Sequence, residues 1–109
     1  NMENKNYRAF RSENYDKKFQ KLDSFEQKRI SNFEQSLKKE PYSGKPLGYK
    51  FFREKKFNGK RLIFLIYEDK KCIFLVTITT KKTQQYEINM IKENFEKYKN
   101  ELNKLISKL

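Results

Sequence analysis

The chain has 109 residues, with 26 Lys and Arg against 14 Asp and Glu and no His, a formal net charge of +12. That length fits one domain, and although only 36% of residues are apolar, ten Phe and seven Tyr supply enough aromatic volume for a small core and argue against disorder. A single cysteine, Cys72, excludes an internal disulfide; together with the missing histidines it leaves no expected metal site or cofactor. The longest apolar run, Leu62 to Tyr67, is far below the ~18 residues of a membrane span, and Asn1 to Lys5 holds no apolar leader segment, so a cytoplasmic protein without a membrane partner is expected.

Tyr7 to Arg11 alternates apolar and basic residues, as a short half-buried strand does. Ser12 is placed to cap a helix with Tyr15, Phe19 and Leu22 on one face. Ser24 with Gln27 reads as a capping box for a second helix, which carries Ile30, Phe33 and Leu37 and stops before Pro41. Tyr42 to Gly48 holds both prolines and reads as a loop. A strand over Tyr49 to Phe57 then meets Asn58-Gly59, a strong hairpin signal because both residues tolerate positive φ. Lys60 to Tyr67 reads as a central strand covered on both faces, and Cys72 to Thr79 as a third strand. Thr83 is placed to cap a last helix, about 83–109, with apolar residues from Ile88 to Leu109 spaced alternately by three and four. Some 26 helical residues span about 39 Å, whereas an eight-residue strand covers about 27 Å. The end of that helix is therefore expected either to curl around the domain or to overhang it as a surface for a partner or a second copy. The order β-α-α-β-β-β-α gives an α+β domain, a helical hairpin on a small, largely antiparallel sheet, occupying residues 1–109.

The charge is not evenly spread. Residues 41–82 carry eleven basic and three acidic side chains, +8 of the total +12. Such concentration is the footprint of a polyanion partner, most simply nucleic acid; a Lys-rich chain tuned only for solubility is the competing reading. With Asn58-Gly59 as the turn, facing positions sum to 117. Arg61 then faces Lys56 and shares a sheet face with Glu54, Phe52 and Lys50, while Arg53, Lys55 and Lys60 point the other way. A bulge near Lys55-Lys56 would exchange the two sets. Lys81-Lys82 leave the last strand just before the helix that carries Tyr86. Metal-free RNA cleavage by a 2′-hydroxyl needs a base, an acid and cations for the phosphorane; without His, those tasks fall to Arg, Lys, Tyr or a carboxylate.

Several stretches carry a family resemblance: the opening strand into Ser12-Glu13-Asn14-Tyr15-Asp16-Lys17-Lys18-Phe19, the helical hairpin ending at Pro41-Tyr42, Arg53 with Gly59-Lys60-Arg61-Leu62-Ile63-Phe64, and Lys81-Lys82 after the last strand. Over most of residues 7–92 the chain resembles the RelE/ParE toxin superfamily, and within it the RelE-like ribosome-dependent mRNA interferases. The resemblance implies cleavage of mRNA in the ribosomal A site by the toxin of a toxin–antitoxin pair. On that reading Arg61 stabilises the phosphorane, Lys82 stands at a second arginine position with Lys81 beside it, and Lys50 lies near a proton-transferring lysine. Glu54 falls near a second such lysine and is a candidate base. Arg53, Lys55, Lys56, Lys60 and Tyr86 are the expected RNA contacts. The implied partners are a cognate antitoxin, the ribosome and mRNA. Two alternatives share parts of the pattern: a ParE-like gyrase inhibitor that cuts nothing, and a non-catalytic double-stranded RNA-binding module over residues 24–109.

Overall fold

The structure, a computed structural model, describes residues 6–109; Asn1 to Lys5, read above for a leader segment, lie outside the described residues. The strands are β1 (Arg8–Arg11), β2 (Lys45–Tyr49), β3 (Phe52–Phe57), β4 (Lys60–Tyr67) and β5 (Cys72–Thr80). The helices are α1 (Glu13–Gln20), α2 (Ser24–Lys39), α3 (Gln84–Lys92) and α4 (Phe95–Ser107), and a 3₁₀ turn spans Pro41–Ser43. One five-stranded sheet runs β1-β5-β4-β3-β2, antiparallel except for β1 beside β5.

Asn58 (φ 50°) and Gly59 (φ 78°) are both left-handed and make the two-residue turn that suits the sheet's twist. Every β3–β4 pair, from Phe57 opposite Lys60 to Phe52 opposite Leu65, has the expected register, with no bulge between them. β4 is the central strand, as its unbroken apolar run requires. Its even positions Leu62, Phe64 and Ile66 join Tyr15, Phe19, Ile30 and Leu37 beneath α1 and α2. Its odd positions Ile63 and Leu65 join Phe52, Ile88, Ile91 and Leu102 beneath α3 and α4. The α+β architecture read from the sequence is the one observed.

Four local features differ. Most of β2 lies in the expected 42–48 loop: Lys45 to Tyr49 pairs with β3 as the edge strand, a position that tolerates Pro46 and its missing donor. Tyr49 pairs with Phe52 across a turn at Lys50-Phe51, which removes Lys50 from the strand in which the sequence placed it. The α2 cap is Asp23, whose carboxylate accepts from Glu26 N at 2.7 Å; Gln27 instead donates to Phe19 O. The C-terminal helix is broken at Glu93-Asn94. A straight helix outruns the strands below it, and the break sets the Phe95 ring against Tyr49, Phe51 and Phe52 at 5.3–5.5 Å. Leu102 is fully buried and Leu105 and Ile106 pack on the same cluster, so the apolar stripe wraps the sheet and only Leu109 at its end is largely exposed.

A buried polar knot ties β1 to the helical hairpin. Arg11 forks onto Glu34 at 2.9 and 3.1 Å, the Tyr15 hydroxyl donates to Glu34 at 2.8 Å, and the Arg11 guanidinium lies 3.8 Å from the Phe19 ring centre. Ser12 Oγ accepts from Tyr15 N and donates to Val76 O, capping α1 while anchoring it to β5.

Two predictions concern this scaffold. At Gly59 a Cβ meets nothing within 4 Å, so Gly59→Ala should cost only the left-handed strain, about 1–2 kcal/mol in denaturant melts. At Gly44 a Cβ falls 2.6 Å from Glu54 O and 3.1 Å from Phe64 Cζ, so Gly44→Ala should be more damaging and shift the β2–β3 amide resonances; the reverse order contradicts the packing. Alkaline stability gives the second. Burial, then Glu96 and Asp69, push the Tyr67 phenol up to about 12, and burial with Glu34 raises buried Tyr15 as well. Raised folded-state pKa values stabilise the fold below the unfolded value of 10.0 and lose that contribution as pH climbs through the folded one. Tyr67→Phe should therefore flatten the fall in stability between pH 10 and about 12; an unchanged fall would remove Tyr67 as a cause.

Candidate nucleic-acid interface

One end of the sheet gathers the hairpin tip, the start of β2, the end of β5 and the start of α3. Arg61 stands there on β4, opposite Lys56 on β3 and Thr79 on β5, with Glu54 diagonal to it on the same face. The entry to α3 reaches down on both sides of Arg61. Gln84 donates to Glu54 Oε1 at 2.5 Å, and the Thr83 hydroxyl lies 2.6 Å from that of Thr79. This bond explains why Thr83, at the cap position, makes no capping bond to α3. Arg61 Nε is buried without a hydrogen-bond partner, the one such side-chain nitrogen or oxygen among the described residues. A buried guanidinium donor left unmade is costly, and its planar fork matches a phosphate or carboxylate.

The neighbouring cations fall into two groups. Lys60 pairs with Glu26 at 2.9 Å; that contact and one from Asn58 hold the Glu26 carboxyl below the usual range. Lys18 pairs with Glu87 at 3.2 Å. Lys45, Lys56, Arg61, Lys81 and Lys82 enter none of the ion pairs among the described residues. Lys81 and Lys82 are exposed and follow Thr80, the partner of Lys60, so they stand at the same end of the sheet as Arg61.

A cleft of about 330 Å³ opens beside β3, lined by Ser43, Gly44, Lys45, Glu54, Lys55 and Lys56. Glu54 is 2% exposed, and Gln84 holds one of its oxygens, so a fixed carboxylate borders a cavity with three lysines on its walls. A second cleft, about 350 Å³, lies between α1 and α3 and is bordered by Tyr86, Met90 and Tyr98. Its polar floor is internally satisfied: Lys18 and Asn14 donate to Thr77 Oγ1, and Thr77 donates to Glu87. Among the described residues no group of three or more His, Cys, Asp or Glu could hold a metal ion.

The structure thus places Arg61, Glu54, Lys56, Lys81 and Lys82 at one end of the sheet, with Lys55 and Lys56 on the cleft wall. It separates four other candidates. Lys50 sits at the opposite end of β3 with its ammonium 4.9 Å from the Tyr42 ring centre, because the turn it occupies breaks the alternation that placed it beside Arg61. Arg53 points to the α2 side as expected, but its guanidinium is committed to Tyr42 O, Gly44 O and Lys50 O at 2.7–3.1 Å, which shapes the cleft wall rather than leaving an RNA contact. Lys60 is neutralised by Glu26, and Tyr86, 68% exposed, borders the second cleft. Sequence reasoning missed Lys45, Thr79 and Gln84. Lys45 was hidden by the Pro/Gly-rich stretch around it, whereas Thr79 and Thr83, four apart across the strand end, offered a weak sign that the chain folds back there.

No protein-family model matches the sequence, and no curated protein matches it significantly. Solved structures do match in fold. A variant of the E. coli toxin RelE in the free state superposes with a TM-score of 0.66 at 17% identity, covering 75% of this chain and 92% of that one. The intact E. coli RelBE toxin–antitoxin complex gives 0.63 at 19% identity, covering 68% and 95%. The archaeal RelE–RelB complex from Pyrococcus horikoshii gives 0.62 at 19% identity, covering 70% and 96%. The chain has the RelE fold.

Proposed function

We propose that this protein is the toxin of a toxin–antitoxin pair and a ribosome-dependent endoribonuclease that cuts mRNA without a metal ion. The observation that carries the reading is Arg61: a guanidinium with a buried, unpartnered Nε, set among four lysines that enter no ion pair among the described residues, at one end of a sheet with the RelE fold. In this mechanism the RNA 2′-hydroxyl attacks the adjacent phosphorus and passes its proton to Glu54. Arg61 neutralises the charge that develops on the phosphorane oxygens, in a site where fixed donors need no reorganisation. Lys56, Lys81 and Lys82 hold the flanking phosphates, and one of these ammonium groups protonates the departing 5′-oxygen. The products are a 2′,3′-cyclic phosphate and a 5′-hydroxyl. Gln84 holds one Glu54 oxygen in place.

The partners follow from the same surface. A cognate antitoxin, as in the RelBE complexes of matching fold, silences the toxin with an acidic or amphipathic segment over the basic end, and both proteins act in the cytoplasm. No helix among the described residues is long and apolar enough to cross a membrane.

Arg61→Ala should lower the rate of mRNA cleavage on translating ribosomes by about 10²–10³-fold and relieve growth arrest, with the melting curve little changed. Cleavage at the wild-type rate in Arg61→Ala would overturn the nuclease reading. Growth arrest that survives with mRNA intact would favour a gyrase-directed toxin.

A further inference from the structure

On the opposite face of the same sheet end, cations are held by aromatic rings instead of carboxylates. The Arg29 guanidinium lies 4.9 Å from the Phe57 ring centre and 5.8 Å from that of Phe25, and the Lys55 ammonium lies 5.7 Å from that of Phe33. Neither Arg29 nor Lys55 enters an ion pair or a side-chain hydrogen bond among the described residues. A ring fixes a cation in place without neutralising it, so the charge and the N–H donors stay available. Phe25, in the first turn of α2, is 65% exposed, far more than an aromatic side chain needs to be for packing. A small cleft of about 130 Å³ runs between Arg29, Phe33 and Phe57, and Lys55 and Lys56 border both it and the Glu54 cleft. The two clefts therefore meet at this pair of lysines.

We infer that Phe25, Arg29, Phe33, Lys55 and Phe57 form a second RNA subsite, a stacking platform for single-stranded nucleotides that flank the strand held at Arg61. The inference rests on the nuclease reading above and extends it across the hairpin to the α2 side. An RNA strand fits better here than an acidic protein surface, because an exposed ring, Phe25, set beside cations that half-buried Phe33 and Phe57 hold without neutralising them matches a base flanked by phosphates. The base stacks on Phe25, while Arg29 and Lys55 meet the phosphates on either side. Lys60, held by Glu26, and Arg53, held by backbone carbonyls, take no part.

The test measures fluorescence anisotropy of the full chain with a labelled, unstructured twelve-nucleotide RNA, alongside cleavage of ribosome-bound mRNA. Phe25→Ala should weaken RNA binding roughly five- to a hundredfold, and Phe25→Tyr should restore it. Lys55→Ala should reduce the slope of log affinity against log salt by about 0.7, the share of one phosphate contact. Because Phe25 is exposed, circular dichroism melts of Phe25→Ala should match the wild type. Equal RNA affinity for Phe25→Ala and the wild type overturns the platform. Wild-type cleavage in that same variant leaves the Arg61 chemistry standing, whereas loss of cleavage in the wild type itself removes the nuclease reading. Loss of antitoxin binding with RNA affinity unchanged assigns the patch to a protein partner and also overturns the platform.

Discussion

Asn58 and Gly59 turn the chain back with both residues left-handed, and the register this imposes decides which side chains of β3 and β4 share a face. One residue of slip would send Arg61 to the α2 side in place of fully buried Leu62, and Leu62 to the α3 side in place of Arg61. The geometry of the turn and the cost of burying Arg61 in the α2 layer thus point to one register. The core and the basic end are specified by the same few residues, so the position of Arg61 follows from the burial of Leu62, Phe64 and Ile66.

Charge placement follows from that frame. Where a carboxylate is near, it neutralises a cation that serves the fold: Glu34 for Arg11, Glu26 for Lys60, Glu87 for Lys18. Beside Arg61, the carboxylate diagonal to it, Glu54, is instead engaged by a neutral amide from Gln84. An amide fixes a carboxylate without cancelling its charge, and leaves the adjacent cations uncompensated. Arg53, one of the expected RNA contacts, is consumed by the backbone carbonyls of Tyr42 in the 3₁₀ turn, Gly44 just after it and Lys50 in the turn before β3. Electrostatic attraction and scaffold geometry are thereby assigned to different arginines.

The legibility of these features in the sequence tracks the range of the interactions that create them. The hairpin register, the Ser12 cap, the helical hairpin and the central position of β4, covered on both faces, were readable because each depends on local conformation or hydrophobic period. The second strand was not, since Lys45 to Tyr49 becomes a strand only by pairing with β3. The break before Phe95 was invisible for the same reason: the three-and-four spacing continues through it, and only Tyr49, Phe51 and Phe52 supply the cause. At the site, Arg61, Glu54, Lys56 and the Lys81-Lys82 pair followed from register and strand ends. Lys50 did not, because its alternation was counted across an unseen turn. Gln84 escaped notice because a glutamine has no signature until its partner is known.

The chemistry at Arg61 leaves a mark on the RNA that depends on neither affinity nor stability. Attack by the neighbouring 2′-hydroxyl ends in a 2′,3′-cyclic phosphate on one fragment and a 5′-hydroxyl on the other. The most direct measurement is therefore mass spectrometry of the ends of mRNA fragments released from ribosomes incubated with the protein and EDTA-washed factors. Cyclic phosphate with 5′-hydroxyl ends is the predicted result. Fragments with 3′-hydroxyl and 5′-phosphate ends, or intact message, would contradict a cationic, metal-free cleavage centred on Arg61.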